Sequence, residues 1–144
     1  LMDFGATYDG WHSDMTRTVC VGKPSDKMKS VYETVLTAQL TALDAVKAGM
    51  SGKALDKIAR DIITEAGYGD NFGHSLGHGV GVEIHESPYA SPSREDILPE
   101  NSIVTVEPGI YLEGKFGVRI EDFVVVTENG CINMTKAPKE LICL

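Results

Sequence analysis

The amino-acid sequence predicts an α+β domain in which an antiparallel pair of helices covers an antiparallel sheet. Two helical segments follow one another between residues 25 and 67, and strand-like segments joined by turns lie on either side of them. Adjacent amphipathic helices with a short link favour antiparallel packing over a sheet. The chain has 144 residues, of which 42% are hydrophobic. This is enough for one domain with its own core.

Each element has its own signal in the sequence. Asp9-Gly10 is a two-residue turn signal between strand-like residues 1–8 and 16–21, which predicts a β-hairpin. Ser25 is a suitable N-cap for a helix over 25–47, and Gly49 is placed to end it. Apolar residues recur at helical spacing on this segment: Met28, Val31, Tyr32, Val35, Leu36, Leu40, Leu43 and Val46.

A second helix is predicted to begin at Ser51 and to end before Gly67. Its expected apolar face consists of Leu55, Ile58, Ala59, Ile62 and Ala66. The glycines that follow exclude a stable helix. We expect a strand over 80–85, a polar loop over 86–101, strands over 103–107, 110–112 and 118–127, and a short closing segment over 137–141.

The composition excludes several classes of function. There are 21 acidic against 13 basic residues, so the net charge of −8 offers no basic face for nucleic acid. No apolar run approaches the roughly 18 residues that a membrane span needs. We therefore predict neither nucleic acid nor a membrane as a partner. Three dispersed cysteines, Cys20, Cys131 and Cys143, form no CxxC motif and indicate buried or half-buried thiols in a reducing, cytoplasmic compartment.

Two acidic residues in the first hairpin are predicted to share one face of its strands. If Tyr8-Asp9 forms the turn, Asp3 and Asp14 are directly opposed; if Asp9-Gly10 forms it, Asp14 faces Gly5, one step from Asp3. Like charges so close are destabilising, and a divalent cation between them removes the penalty. The alternative is a pair of solvated acids near the end of a hairpin.

A second acidic pair has the same arrangement around Glu113-Gly114-Lys115. Glu107 and Glu121 are equidistant from Gly114, although Pro108-Gly109 is expected to add a bulge that disturbs the register. Both lie in apolar runs, and buried Glu is rare unless it is paired or metal-bound. Arg119, two residues before Glu121, is expected on the same face, where it could orient a carboxylate.

Three of the four histidines lie between these hairpins. His74, His78 and His85 fall within twelve positions, whereas His12 is expected to be an exposed turn residue. Four carboxylates carry a charge of about −4, which two divalent cations would neutralise. One imidazole among oxygen donors favours Mn²⁺.

These motifs together resemble the pita-bread metallopeptidases, the superfamily of methionine aminopeptidase, aminopeptidase P and prolidase. The resemblance rests on Asp3-Phe4-Gly5, Ser13-Asp14-Met15-Thr16-Arg17-Thr18, Gly77-His78-Gly79-Val80-Gly81, His85-Glu86, Val106-Glu107-Pro108-Gly109 and Arg119-Ile120-Glu121-Asp122. The Asp-Met-Thr-Arg-Thr string and the segment 117–122 look like the Xaa-Pro branch. Methionine aminopeptidases generally lack that arginine.

The resemblance implies a pita-bread fold, in which helices cover a curved antiparallel sheet, and a metal-dependent exopeptidase that splits the Xaa-Pro bond with a metal-bridging hydroxide. Two ions, Mn²⁺ or alternatively Co²⁺ or Zn²⁺, would act on a peptide with proline in second position. By this resemblance Asp3 chelates one ion, His78 and Glu107 the other, and Asp14 and Glu121 bridge both. His74 and His85 would contact substrate and stabilise the tetrahedral intermediate.

The resemblance further implies that Glu107 shuttles the proton and that Arg119 supports the ligands. It also implies a longer parent protein, since the family's catalytic domain has two similar halves. Residues 1–144 then correspond to its C-terminal part, without the first half's helices and the N-terminal domain. We expect this segment by itself to bind metal poorly and turn over little, and its exposed sheet to favour a homo-oligomer.

Two alternative functions are compatible with the same fold. One is a non-catalytic peptide-binding module, and the other is a metal-free hydrolase of small amidino compounds. Such relatives typically lose metal ligands, whereas Asp3, Asp14, His78, Glu107 and Glu121 are all present here. The sequence therefore favours the peptidase, without separating aminopeptidase P from prolidase.

Overall fold

The computed structural model describes all 144 residues, and two helices form its largest elements. Helix α1 spans Asp26–Ala45 and helix α2 spans Gly52–Glu65. The side chains of Ser25 and Ser51 each accept a hydrogen bond from the backbone N–H group three residues further on. Ser25 is therefore the predicted N-cap of α1, and Ser51, predicted as the start of the second helix, is the N-cap of α2. Neither helix combines the length and the apolarity that a bilayer crossing requires.

The buried faces of the helices differ in detail from the apolar pattern. On α1, Leu40 is 48% exposed, whereas Gln39 is fully buried. On α2, Ala66 is exposed, whereas Ile63 and Asp56 are fully buried. The apolar pattern placed Leu40 and Ala66 on the buried faces and did not include Gln39 and Asp56. The buried side chains of Gln39 and Asp56 have hydrogen-bond partners that only the tertiary structure provides.

The strands are short and lie before and after the helix pair. In chain order they are β1 Met2–Phe4, β2 Thr7–Tyr8, β3 Trp11–His12, β4 Met15–Arg17, β5 Val19–Cys20, β6 Gly77–Gly79, β7 Glu86–Ala90, β8 Ile103–Val106, β9 Gly109–Leu112, β10 Phe116–Arg119, β11 Asp122–Thr127, β12 Gly130–Asn133 and β13 Ile142–Cys143.

The central sheet has five strands in the order β12-β11-β8-β6-β7, and every neighbouring pair is antiparallel. Helix α1 packs on β8 and β12, and helix α2 packs on β7. The core between helices and strands is aliphatic, with fully buried residues that include Val31, Val35, Leu55, Ala59, Ile63, Leu76, Val104, Val106, Val124 and Val126. The predicted arrangement of a helix pair over an antiparallel sheet is confirmed.

The first hairpin turns at Asp9-Gly10, which decides between the two registers left open by the sequence. Both residues have positive φ, 48° and 82°, as a two-residue turn of this kind requires. Asp3 pairs with Thr16, so Asp14 lies opposite Gly5 and is not directly opposed to Asp3. The strands leave large apolar side chains exposed, namely Met2 43%, Phe4 54%, Tyr8 85% and Trp11 60%.

The second hairpin runs through β9 and β10 and continues into the central sheet as β8 and β11. The predicted bulge at Pro108-Gly109 is wrong, because Arg119 pairs with Gly109 and Asp122 pairs with Val106 in one uninterrupted register. Pro108 has no N–H to donate, but its carbonyl still accepts from the backbone N–H of Ile120 at 3.5 Å. The ladder therefore loses a bond at the proline without gaining a residue.

The region between the helices and the second hairpin differs most from the prediction. Residues 80–85 form bends and no strand, and the predicted loop over 86–101 begins with β7.

The predicted strand over 118–127 is divided into β10 and β11, and β12 had not been predicted. The tail is more than a closing segment, since β13 pairs in parallel with β5.

Two glycines of β6, Gly77 and Gly79, allow its backbone to pack closely against neighbouring segments. A Cβ built on Gly77 would stand 2.0 Å from the carbonyl oxygen of Thr105, and one on Gly79 would stand 2.5 Å from that of Ser87. The backbone of β6 is thus close to the segments on both sides, which no side chain at these positions would permit.

We expect Gly77→Ala to lower the free energy of unfolding by about 1–3 kcal/mol, because the new methyl group must push β6 away from Thr105. Gly73→Ala is the matched control, since nothing lies within 4 Å of its Cβ and its φ is not positive. Urea unfolding of both variants measures the difference. Equal stability of the two variants would contradict this packing.

Candidate metal and catalytic site

Three buried side chains from distant parts of the chain meet at the end of the central sheet. Asp14, His78 and Glu121 each offer one ligand atom, and these atoms lie within 4.8 Å of one another. Their exposed fractions are only 9%, 8% and 1%. Buried carboxylates this close repel one another when both are ionised, so either one of them is protonated or positive charge lies beside them.

Strand pairing carries these side chains to the same place. Asp14 directly precedes β4, and Thr16 of β4 forms an isolated antiparallel bridge with Glu121. His78 is the middle residue of β6, and Glu107 directly follows β8. The backbone N–H of Glu107 donates to the carbonyl of Leu76 at 2.8 Å, which joins the second hairpin to the segment before His78.

The imidazole of His78 is oriented for metal binding. Its Nδ1 lies 3.0 Å from the carbonyl oxygen of Gly79, so Nδ1 carries a proton and donates it there. Nε2 faces the acidic cluster, 3.2 Å from Oε1 of Glu107 and 3.8 Å from Oδ2 of Asp14. A histidine whose other nitrogen donates to a backbone carbonyl is a common arrangement in metal ligands.

Two threonine hydroxyl groups hold the glutamates. Thr105 Oγ1 donates to Oε1 of Glu107 at 3.0 Å, and Thr16 Oγ1 donates to Oε2 of Glu121 at 2.5 Å. Both threonines are fully buried. Each hydroxyl fixes one carboxylate oxygen and leaves the other oxygen of that carboxylate available as a ligand.

Arg119 connects the acidic residues, as its position in the sequence predicted. Its Nη2 donates to Oδ2 of Asp3, and its Nε lies 3.8 Å from Oε2 of Glu107 and 3.9 Å from Oε2 of Glu121. Nε also donates to Thr16 Oγ1 at 3.0 Å. Asp3 itself is half exposed and stands at the edge of the cluster, outside the group of three closely spaced ligand atoms.

The histidines occupy different positions around this cluster. The ring of His85 is exposed and its centroid lies 4.2 Å from that of His78. In His74, Nδ1 lies 2.8 Å from the carbonyl oxygen of Ser75 and Nε2 lies 2.9 Å from Tyr111 Oη, so both nitrogens have protein partners. His12 is not an exposed turn residue as predicted, because it is half-buried and hydrogen-bonded to Gly81.

Burial and charge shift the acidity of the cluster. The pKa of Glu121 is raised from 4.5 to about 8, mainly by burial and secondly by the nearby carboxylate of Glu107, against a lowering by the Thr16 hydroxyl. Burial likewise raises the pKa of Asp14, which His78 partly offsets. For His78, burial opposes protonation, but the hydrogen bond to Glu107 raises its pKa above the ordinary value.

This set of residues fits a divalent cation. Carboxylate oxygens and a single imidazole nitrogen are donors that suit Mn²⁺ and similar ions, and no thiolate lies among them. The raised pKa of Glu121 is also consistent with a cation site, since a cation beside this carboxylate would stabilise its ionised form. Asp14, His78 and Glu121 can hold one ion, with Glu107 beside His78 and Asp3 at the edge.

Two cavities border this cluster. One, of about 500 Å³, is lined by His74, His78, His85, Tyr89, Glu107 and Arg119 among others. The other, of about 310 Å³, is lined by residues of the first hairpin, among them Asp3, His12 and Asp14, and by Ile84 and His85. A small molecule or a short peptide can therefore reach the acidic residues.

Sequence reasoning missed Thr16 and Tyr111 as part of the site. Tyr111 Oη accepts from Arg119 Nη1 at 3.3 Å and donates to Nε2 of His74, which links the arginine to the histidine. The two-residue period of a strand places Tyr111 on the face of Glu107, and Thr16 on the face of Asp14. Both residues could have been found by following the faces of Glu107 and Asp14 further along their strands.

Comparison with known proteins shows that the chain is similar to metallopeptidases. The model of metallopeptidase family M24 matches residues 1–128. The chain is 54% identical to an Xaa-Pro dipeptidase of Pyrococcus furiosus over 142 residues, which are 99% of this chain and 41% of that protein. The chain thus spans about 40% of the length of the curated relatives it matches.

Solved structures share both the fold and the sequence. An Xaa-Pro dipeptidase from Bacillus anthracis matches with a TM-score of 0.97 at 54% identity, over 99% of this chain and 40% of that one. An X-Pro aminopeptidase from Thermotoga maritima matches with a TM-score of 0.95, also at 54% identity, over 99% and 40%. The predicted pita-bread fold is therefore confirmed.

The metal-free protein should become less stable as the pH rises towards 8. The folded-state pKa of Glu121, about 8, lies above its ordinary 4.5, so the folded protein binds the extra proton. The stabilisation is complete below about pH 4.5 and is lost as the pH rises through 8. Thermal unfolding in a chelator between pH 5 and 9 measures this slope.

Glu121→Gln should flatten that pH dependence, because its side chain cannot ionise. Glu65→Gln on the exposed end of α2 is the matched control and should keep the slope of the unmodified protein. Parallel curves for Glu121→Gln and the unmodified protein would show that this carboxyl group does not carry the effect.

Proposed function

The chain belongs to metallopeptidase family M24, and on that premise we propose that the protein hydrolyses the peptide bond between a residue Xaa and proline, using two divalent metal ions. The observation that carries this proposal is the convergence of Asp14, His78 and Glu121 within 4.8 Å, with Glu107 3.2 Å from His78. Relatives named Xaa-Pro dipeptidase and X-Pro aminopeptidase share 54% of this sequence and supply the substrate class.

We assign the ligands as the acidic residues and the imidazole allow. Asp14 and Glu121 would contact both ions, His78 and Glu107 would hold one of them, and Asp3 would hold the other. Mn²⁺ fits this oxygen-rich set, with Co²⁺ or Zn²⁺ as alternatives. Bound there, two cations would lower the pKa of a coordinated water and polarise the scissile carbonyl.

The chain's own residues supply the proton transfer and the orientation. Glu107 lines the 500 Å³ cavity, and its carboxylate is positioned by Thr105, so it can accept and return a proton next to a bound peptide. Arg119 holds Asp3 and stands beside both glutamates, where its positive charge offsets part of their repulsion and helps to orient their carboxylates.

His85 and His74 differ in what they can do in the cavity. His85 is exposed there and free to contact a substrate carbonyl, where an imidazole donor would stabilise developing negative charge. Substrate contact by Nε2 of His74 would require it to leave Tyr111 Oη. We therefore assign direct substrate contact to His85 first.

The other expectations concern the protein as a whole. A cytoplasmic location is consistent with three free cysteines, of which Cys20 and Cys131 are half-buried and Cys143 is exposed. A homo-oligomer, and weak metal binding by residues 1–144 alone, stay predictions. The exposed apolar residues of β1 to β3 are consistent with a covering surface in the whole protein.

Asp14→Asn should reduce hydrolysis of an Xaa-Pro dipeptide and of a longer peptide with proline second by at least about 100-fold, because the variant removes a bridging ligand. The full-length protein loaded with Mn²⁺ is assayed against both substrates, with an Xaa-Ala dipeptide for comparison. The matched control is Asp9→Asn, which removes the same charge from an exposed turn that asparagine tolerates.

Full activity of Asp14→Asn would exclude the catalytic assignment. If the unmodified full-length protein binds these peptides and metal but cleaves neither peptide with Mn²⁺, Co²⁺ or Zn²⁺, the protein is a peptide-binding module. The ratio of activities on the two Xaa-Pro substrates separates a dipeptidase from an aminopeptidase.

Metal titration should give about two Mn²⁺ ions per chain in the full-length protein, and His78→Ala should reduce the number to about one, since His78 serves one ion only. Calorimetry of the chelator-treated protein measures both values. Two ions bound to His78→Ala with unchanged affinity would contradict the ligand assignment.

A further inference from the structure

The segment of residues 72–76 leads from the short 3-10 helix Gly69–Asn71 into β6 and carries His74. These five residues form neither a helix nor a strand. His74 lies in this segment and His78 two residues beyond it. His74 is thus placed on a backbone that has no helix or strand hydrogen bonds of its own to hold it in position.

An ion pair on helix α2 holds this segment by its backbone. Both oxygens of Asp56 accept from Arg60, at 2.7 and 2.9 Å, and Oδ1 also accepts from the N–H of Leu76 at 2.9 Å. Arg60 donates in turn to the carbonyls of Phe72 at 2.9 Å and His74 at 2.8 Å. Three backbone groups within five residues are therefore bonded to one ion pair.

The same pair reaches the site through two further contacts. The guanidinium of Arg60 lies 4.2 Å above the ring of Phe72, and that ring meets His74 edge-on at 5.1 Å. The backbone N–H of Leu76 donates to Asp56, and the backbone carbonyl of Leu76 accepts from the N–H of Glu107 at 2.8 Å. The position of the ion pair is thus transmitted to one histidine and to one glutamate of the site.

The burial of the pair is consistent with this role. The Asp56 side chain is 1% exposed and that of Arg60 is 25% exposed. A buried ion pair stabilises a fold no better than apolar residues of the same size, because both charges lose their hydration. Fixing three backbone groups of an irregular segment is something that apolar residues could not do.

We propose that Asp56 and Arg60 are positioning residues, which fix the backbone of residues 72–76 and thereby place His74 and Glu107 for the reaction. The catalytic part of this inference rests on the proposed function. The structural part does not, since it concerns only the order of the segment.

The test compares Arg60→Lys with the unmodified full-length protein. Lysine keeps a positive charge beside Asp56, but its single ammonium group cannot reach both carbonyls and replace the planar guanidinium. Amide hydrogen exchange, followed by mass spectrometry, should become at least about tenfold faster in peptides covering 72–78 and stay unchanged in α1. The metal-loaded enzyme should lose about 10–100-fold in kcat on an Xaa-Pro dipeptide, with KM nearly unchanged.

Helix α2 offers a matched control and a second variant. Lys57 and Asp61 form an ion pair with the same spacing on the exposed face, 2.7 Å apart. Asp61→Asn removes a charge from the same helix and should leave both exchange and kcat unchanged, whereas Asp56→Asn should reproduce the effect of Arg60→Lys.

Unchanged exchange over 72–78 in Arg60→Lys would overturn the proposal. Faster exchange that is equal in α1 and in 72–78 would also overturn it, because the pair would then support only the global stability. Exchange is measured without substrate, so it decides the structural role of the pair even if the full-length protein cleaves no Xaa-Pro bond.

Discussion

Repulsion among carboxylates gathered at one end of a sheet is the constraint on which this structure depends. Asp14 and Glu121 are almost fully buried, and Glu107 lies beside them, so their simultaneous ionisation needs positive charge nearby. Arg119 and His78 supply part of that charge. Burial first, and then the neighbouring carboxylates, raise the pKa of Glu121. The same buried carboxylates also make the site suitable for divalent cations.

Two hairpin turns and one bridge produce this convergence. The turn at Asp9-Gly10 determines the register of the first hairpin, and the turn at Gly114 determines that of the second, which continues unbroken past Pro108. The pairing of Thr16 with Glu121 then joins the two hairpins. A shift of one residue in either hairpin would turn its acidic side chains to the opposite face.

A buried network behind the site holds this junction. The guanidinium of Arg17 donates to the backbone carbonyl of Glu121 at 2.6 Å and to Oδ1 of Asp122 at 2.7 Å. Asp122 also accepts from Lys139 and from Gln39 of α1. Burial would raise the pKa of Asp122, but its hydrogen bonds to Lys139, Asn133 and Arg17 lower it. The tail and the helix are thereby tied to the strand that carries Glu121.

Local sequence signals predicted the α+β class, both helices and the turn at Gly114, and they limited the first hairpin to two registers. They also indicated the acidic residues that we propose as ligands. These features depend on neighbours a few residues apart, which turn signals and periodicity reveal. Strands β6 and β7 could not be predicted from local patterns. The same holds for the burial of Asp56, the exposure of Ala66 and the hydrogen bond between His74 and Tyr111. The physical reason is that glycine-rich strands and buried polar groups are stabilised by partners far away in the chain, and no local pattern specifies those partners.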